Sequence, residues 1–332
     1  MNSLAPTFHG VTIPRSVSTV LLGVCVLGAT ALILWPILLG PVQDFCIAAN
    51  VVAPNRCLTG PNKLLGYIAM IAAFPAILVL ERLWPAAESQ GRFSGGLLVD
   101  FVWFCFAPVF LLVLLVPVED ALRWFYGSFL GLGKLTLIGS LPLVAQIAIV
   151  VLLADFMGWL AHVIRHKSSF VWEFHKIHHA QEELNYFSTG RIHPVDGLTV
   201  MVVRFLPFAM LDASVAVPAF AITQSVIRVY EMYTHSNIRT NMGPLKYIFV
   251  TPQSHRVHHS NLPEHQDKNF GNFLSIWDFA FGTQCLDFYT YPKTGVHDRN
   301  VPRPAEPTVL ASLMAFARML LYPFRSLQRG SH

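Results

Sequence analysis

The chain predicts an all-α integral membrane protein: about four transmembrane helices, a re-entrant helical hairpin and a cytoplasmic helical cap rich in histidine. Three observations predict it. Of 332 residues, 54% are hydrophobic and 13% charged, where soluble domains run at about 25% charged; the mean hydropathy is +0.50. Several apolar runs approach or exceed the roughly 20 residues that a spanning helix needs. Ten of the 14 histidines lie between positions 162 and 259, many of them at helical spacing.

The first run, Val17–Leu39, is too long for a removable signal peptide and lacks a cleavage site, so it reads as an anchor. The second is Leu64–Leu80, ended by Glu81, Arg82 and Pro85, and the third is Leu97–Val118. The fourth, Leu135–Ala161, has 27 residues. As a helix it measures about 40 Å against a hydrocarbon layer of about 30 Å. Its last turns, with Asp155 and Trp159, therefore reach the headgroups, and His162 follows directly.

The fifth run, Leu198–Val226, contains Arg204, Pro207, Asp212 and Pro218. An Asp in mid-span costs roughly 2.5–3.5 kcal/mol on insertion scales. A single span would also put the histidines on either side of it on opposite faces of the membrane. A re-entrant hairpin turning near Asp212, its turn covered by protein, avoids both problems.

Lys and Arg set the orientation. Residues 162–197 carry four and residues 226–332 carry eleven, while the loops 41–63 and 118–134 carry two each. The positive-inside rule puts the histidine-rich region and both termini in the cytoplasm. Cys46 and Cys57 then share an outer loop, either bridged by a disulfide or as free thiols. Residues 308–324 are apolar with Arg318 inside, which reads as an interfacial amphipathic helix or as a helix packed on the cytoplasmic part. Three regions result: a membrane region over 1–134, a catalytic domain over 135–290 and a tail over 291–332.

The histidine spacing carries the chemistry. His162 and His166 are four apart; His175, His178 and His179 form an i, i+3, i+4 set, and His255, His258 and His259 repeat it. Residues three and four apart lie on one helical face, so each box aims its imidazoles at one point. His193 and His235 stand singly between the boxes. So many imidazoles exceed the four ligands of one tetrahedral zinc, which argues for two metals. Imidazole suits Fe, Zn, Cu or Ni, and oxidation of a C–H bond selects a redox metal. Asp155, Asp196, Glu231 and Asn237 are candidates to orient the ligands or, for Glu231, to join them; Asp267, Asn269 and Asp278 are weaker ones. His9, His265 and His297 show no ligand spacing. No CxxC pair, Gly-rich phosphate loop, dinucleotide fingerprint or basic run points to a thiolate site, a nucleotide or a nucleic acid.

These residues resemble the fatty acid hydroxylase / sterol desaturase superfamily of membrane-bound histidine-box enzymes, bacterial members included. The boxes match its HxxxH, HxxHH and HxxHH pattern. Arg191-Ile-His193-Pro194, Thr234–Arg239, Phe249–Ser260, Asp267–Gly271 and Trp277–Thr283 look like its flanking segments. The likeness covers roughly residues 150–285. It implies a di-iron centre, with zinc able to replace iron in purified protein, and O₂ as co-substrate. It also implies a lipid substrate, oxidised most simply by hydroxylation, and an external electron donor, a ferredoxin or a cytochrome b₅-like protein with its reductase. By the resemblance the ligand role carries to His162, His166, His175, His178, His179, His193, His235, His255, His258 and His259. Some members have a second histidine where this chain has Glu231. A desaturase on the same scaffold remains open. So does a metal transporter or sensor without chemistry, although a transporter should place its ligands at mid-membrane. A haem carrier needs axial histidines inside spans, and the four clear spans contain none.

Overall fold

Helix starts in this chain are set by capping residues that the sequence supplies at the right places. The computed structural model describes residues 7–8, 11–12, 60–91, 93–110, 113, 116–129, 138, 140–208, 223 and 226–329. The run Val17–Leu39, the Cys46–Cys57 loop and the turn near Asp212 lie outside the described residues. A minimal antiparallel pair, β1 (Thr7–Phe8) and β2 (Val11–Thr12), accompanies helices α1 (Gly60–Leu83), α2 (Gly95–Phe110), α3 (Val116–Phe129) and α4 (Leu143–Lys167). Then come α5 (Ser169–His179), α6 (Pro194–Phe208), α7 (residues 226–235), α8 (Pro252–His258), α9 (Ile276–Ala280) and α10 (Val309–Gln328).

Two departures from the hydropathy reading have simple causes. The fourth apolar run ends at Ala161, but α4 continues unbroken to Lys167 because His162–Lys167 contains no helix breaker. In the third run α2 is described as far as Phe110, and α3, from Val116, occupies much of the segment read as the 118–134 loop. That segment mixes Glu119, Asp120 and Arg123 with apolar residues, as an amphipathic helix does. Among the described residues, one helix, Val144–Lys167, is long and apolar enough to cross a membrane.

The caps are local. Ser168 accepts from Val171 N at 3.3 Å, so α5 begins as soon as α4 ends and the two helices form a corner. Thr251 and Ser254 make a reciprocal capping box that starts α8, with Pro252 in the first turn, where its missing N–H costs nothing. Thr308 caps α10 through Ala311 N.

Two apolar cores hold this frame. In the first, Ala73, Ile77 and Leu80 of α1 meet Phe104 of α2, Tyr186, and Val229, Tyr230 and Met232 of α7. In the second, Val99 and Trp103 of α2 pack on Ile177 of α5 and on Ala315, Phe316 and Met319 of α10. Ile177 lies between the histidines of the second box and faces away from them, so one short helix serves a core and a polar centre at once. Ile71, Phe101, Phe106 and Leu152, on the outer faces of α1, α2 and α4, are exposed, as expected of helices that face an apolar surrounding.

Buried carboxylates tie the helices to the loops. Asp100 of α2, fully buried, accepts from Asn185 Nδ2 (3.0 Å), Ser188 Oγ (2.6 Å), Arg191 Nε (2.5 Å) and Gln181 Nε2. Removing one partner of a buried ion pair strands the other and costs about 3–5 kcal/mol. An exposed pair such as Arg303–Glu182 contributes about 0–1 kcal/mol. Asp100→Ala should therefore lower the thermal midpoint in detergent far more than Glu182→Ala. Equal midpoints for the two variants would show that the Asp100 node does not hold the fold.

Candidate metal centre

The α4–α5 corner brings the first two boxes together, and α7 and α8 close on them from the other side. Nine histidines converge in two groups. His162, His166, His175, His179 and His258 each offer a ring nitrogen to one point; His178, His235, His255 and His259 do so at a second. Within either group these nitrogens all lie within 4.8 Å of one another. Eight of the nine side chains are buried and His166 is half-buried.

The inner atoms are Nε2. His179 Nε2 lies 3.1 Å from His166 Nε2 and 3.2 Å from His175 Nε2. In the second group His235 Nε2 lies 3.2 Å from His178 Nε2 and 2.9 Å from His255 Nε2, which is 3.2 Å from His259 Nε2. The outer nitrogens show which tautomers these are. Nδ1–H of His162 donates to Phe270 O (2.8 Å), that of His258 to Lys268 O (2.8 Å), that of His235 to Glu231 O (2.6 Å), and that of His175 to Asp196 Oδ2 (3.1 Å). Carbonyls and carboxylates only accept, so the ring proton sits on Nδ1 and Nε2 presents a lone pair.

Lone pairs crowded at this spacing repel unless a cation lies between them. Ligands about 2.0–2.1 Å from one ion are about 2.9–3.4 Å from each other, which is the spacing seen. His162 Nε2 and His258 Nε2 are also buried with no hydrogen-bond partner among the described residues. The donor set therefore fits two transition-metal ions.

Burial pushes His175, His178, His179, His255 and His259 well below the usual histidine range, and neighbouring positive charge adds to the effect. His258 is held down to about 4, chiefly by burial and against its bond to Lys268. These rings are thus neutral at pH 7, in the form that ligates.

The other predicted site residues are placed as follows. His193 joins neither group: its Nε2–H donates to Leu320 O of α10 (3.1 Å), and its Nδ1 accepts from Val195 N (3.2 Å) at the start of α6. Asp155 holds no ligand; its oxygens accept from Phe273 N (3.0 Å), Leu274 N (3.0 Å) and Trp277 Nε1 (2.9 Å). Asp196 is on His175 and also lies 3.5 Å from Arg165 Nη1. The Glu231 carboxylate turns from the imidazoles to Arg228 (3.2 Å) and Arg204 (3.8 Å), so only its carbonyl touches a ligand ring. Asn237 clamps Ala87 through Oδ1 (2.9 Å) and Nδ2 (3.1 Å). Asp267 reaches Lys167 (2.7 Å), and Asn269 Nδ2 donates to Ser254 O (2.9 Å). Asp278 accepts from Phe270 N (2.9 Å), Gly271 N (2.7 Å) and Trp159 Nε1 (3.0 Å), fixing the strand of chain whose carbonyl orients His162.

The centre is open on two sides. A polar cleft of about 920 Å³ reaches His166, His179 and His258 past Lys176, Arg318 and Arg325. A smaller cavity of about 130 Å³ touches both groups, at His162 and at His178, His235 and His255.

The comparisons with known proteins concern the part of the chain that carries these histidines. Residues 147–283 match the fatty acid hydroxylase family model. An ornithine lipid hydroxylase of Rhizobium tropici is 31% identical over 172 residues, 52% of this chain and 50% of that protein. The alkylglycerol monooxygenases of Caenorhabditis elegans and Homo sapiens are each 31% identical over 129 residues, 39% of this chain and 25% and 28% of theirs. The chain thus spans about half the length of the first relative and about a quarter of the other two. No solved structure matches it.

Metal analysis of purified protein should find two ions per chain, falling to about one in His255→Ala and staying at two in His193→Ala; a loss in His193→Ala would make that ring a ligand after all. Asp196→Ala should weaken metal retention about 10–100-fold in a chelator titration. Retention equal to wild type would leave His175 oriented without Asp196.

Proposed function

We propose, from the match of residues 147–283 to the fatty acid hydroxylase family model, that the chain is a membrane-embedded, O₂-dependent oxidoreductase that hydroxylates a C–H bond of a membrane lipid at a non-haem di-iron centre. The observation that carries the reading is the pair of adjacent all-imidazole groups with inward lone pairs. The rings of His179 and His259, one from each group, stack at 4.4 Å. Two redox-active ions held there by the nine histidines would supply the activation of O₂, which zinc, lacking redox chemistry, would not. The likeness to an ornithine lipid hydroxylase and to alkylglycerol monooxygenases supports a lipid substrate and hydroxylation.

In this reading the nine histidines hold the ions, and Asp196 and the carbonyls of Glu231, Lys268 and Phe270 fix the ring tautomers. The cavity on both groups positions the carbon to be oxidised. The polar cleft on His166, His179 and His258 gives the external donor, a ferredoxin or cytochrome b₅-like protein with its reductase, its approach to the centre. We assign residues 1–134 to the membrane region, 135–290 to the catalytic domain and 291–332 to the tail. The finer disposition is four spans plus a re-entrant hairpin near Asp212, with the histidines and both termini on the cytoplasmic side of a bacterial inner membrane. The apolar outer face of α10, with Leu310, Leu313, Leu321 and Phe324 exposed, suits a helix lying on that membrane.

The test is a lipid mass-spectrometric comparison of cells with the gene, without it, and with His178→Ala. A lipid heavier by one oxygen only in the active strain is the expected result. Loss of two hydrogens instead would make the protein a desaturase. Lipid profiles independent of His178 would remove lipid oxidation and leave a metal carrier or sensor.

A further inference from the structure

The cavity shared by the two histidine groups has a second wall that a purely hydrocarbon substrate does not need. Arg204 of α6 and Arg228 of α7 both line it, and both point at Glu231, Nη2 to Oε1 at 3.8 Å and Nη1 to Oε2 at 3.2 Å. Among the described residues two guanidiniums share one carboxylate, so one positive charge is left over. Arg204 is largely buried, and its Nε has no hydrogen-bond partner among the described residues. The other acid near it, Asp155, has its oxygens engaged by Phe273 N, Leu274 N and Trp277 Nε1. Arg165, also on this wall, lies against Asp196. The space for Arg204 is built in: a Cβ at Gly158 of α4 would lie 2.4 Å from its Nη2 and 2.6 Å from Asn272 Nδ2.

Surplus charge inside a helical bundle is costly unless something pairs with it. The planar fork of a guanidinium matches a phosphate or a carboxylate. Resting on the function proposed above, we infer that the lipid substrate carries an anionic oxygen group, a phosphate or a carboxylate, bound by Arg204 and Arg228, and that oxidation takes place within a few bonds of it. Because Arg204 and Arg228 line the same cavity as His162, His178, His235 and His255, an anion on the arginines and a carbon at the histidines belong to the same end of the lipid. The oxygen then enters the headgroup or the first carbons attached to it, and the middle of an acyl chain stays out of reach.

The experiment is fragmentation mass spectrometry of the oxidised lipid from cells expressing wild type, Arg204→Gln or Arg204→Lys, with the metal content of each purified protein measured alongside. In wild type the added oxygen is expected in the headgroup fragment or beside it. The class of the oxidised lipid tells a phosphate from a carboxylate. Arg204→Gln is expected to retain two ions and to lower product about tenfold or more, the loss of one charge-assisted contact. Arg204→Lys should recover part of it. Oxygen found in mid-chain, an oxidised lipid with neither group, or wild-type product from metal-loaded Arg204→Gln would each overturn the inference while leaving lipid hydroxylation intact. The wild-type oxygen position decides the matter even if the variants do not fold. A metal-loaded wild type that oxidises no lipid would instead remove the function itself, and this inference with it.

Discussion

A neutral imidazole has one N–H and one lone pair, and burial requires a partner for each. Nine such rings in one water-poor space make a demand that the surrounding chain must meet. It meets the outward half at four of them, with main-chain carbonyls at His162, His235 and His258 and with Asp196 at His175, while the Nδ1 atoms of His178, His255 and His259 have no partner among the described residues. The inward half is left as lone pairs only about 3 Å apart, an arrangement that is stable around a cation and strained without one. Much of the packing can be traced from there: the loop carrying Lys268 and Phe270 is held where its carbonyls reach the rings, and Asp278 holds that loop.

The second layer is a set of buried acids that take partners from other parts of the chain, distant in sequence for Asp100 and Asp155 and both near and distant for Asp278. Asp100 gathers the segment before His193, Asp155 the segment after the last box, and Asp278 the backbone between. Each sits where a helix meets a loop and offers several acceptors to N–H groups that would otherwise be unpaired. Such nodes let irregular chain lie against apolar helices without orphaned polar groups. They also make α2, α4 and the histidine region one mechanical unit.

The histidine groups were legible because their signal is local. Spacings of three and four on short helices bring rings together whatever the tertiary fold, and the boxes could be read before any helix was placed. His193 and Asp155 mark the limit of that logic. A lone histidine before a proline carries the same letters whether it binds a metal or, as at α6, accepts from the first turn of a helix. The i, i+7 spacing of Asp155 and His162 suggested a contact. The carboxylate instead found backbone donors 118 and 119 positions away, which no local pattern announces. Hydropathy located α4 but not its C-terminal end, since an apolar run stops at its first polar residue and a helix does not.

The unbroken course of α4 has one more consequence. From Leu143 to His162 is 19 residues of a single helix, a length of about 28 Å at 1.5 Å per residue. That is close to the thickness of the hydrocarbon layer. In the function proposed above, a rod that crosses the bilayer also carries the first two ligands, so it acts as a ruler: the depth of the centre is counted in residues. On that reading, which atom of a lipid meets the histidines is measured from the membrane surface, and headgroups of different length present different atoms. One residue added to the rod would shift the ligands by 1.5 Å and also swing them through about 100°, so the count fixes bearing as well as depth.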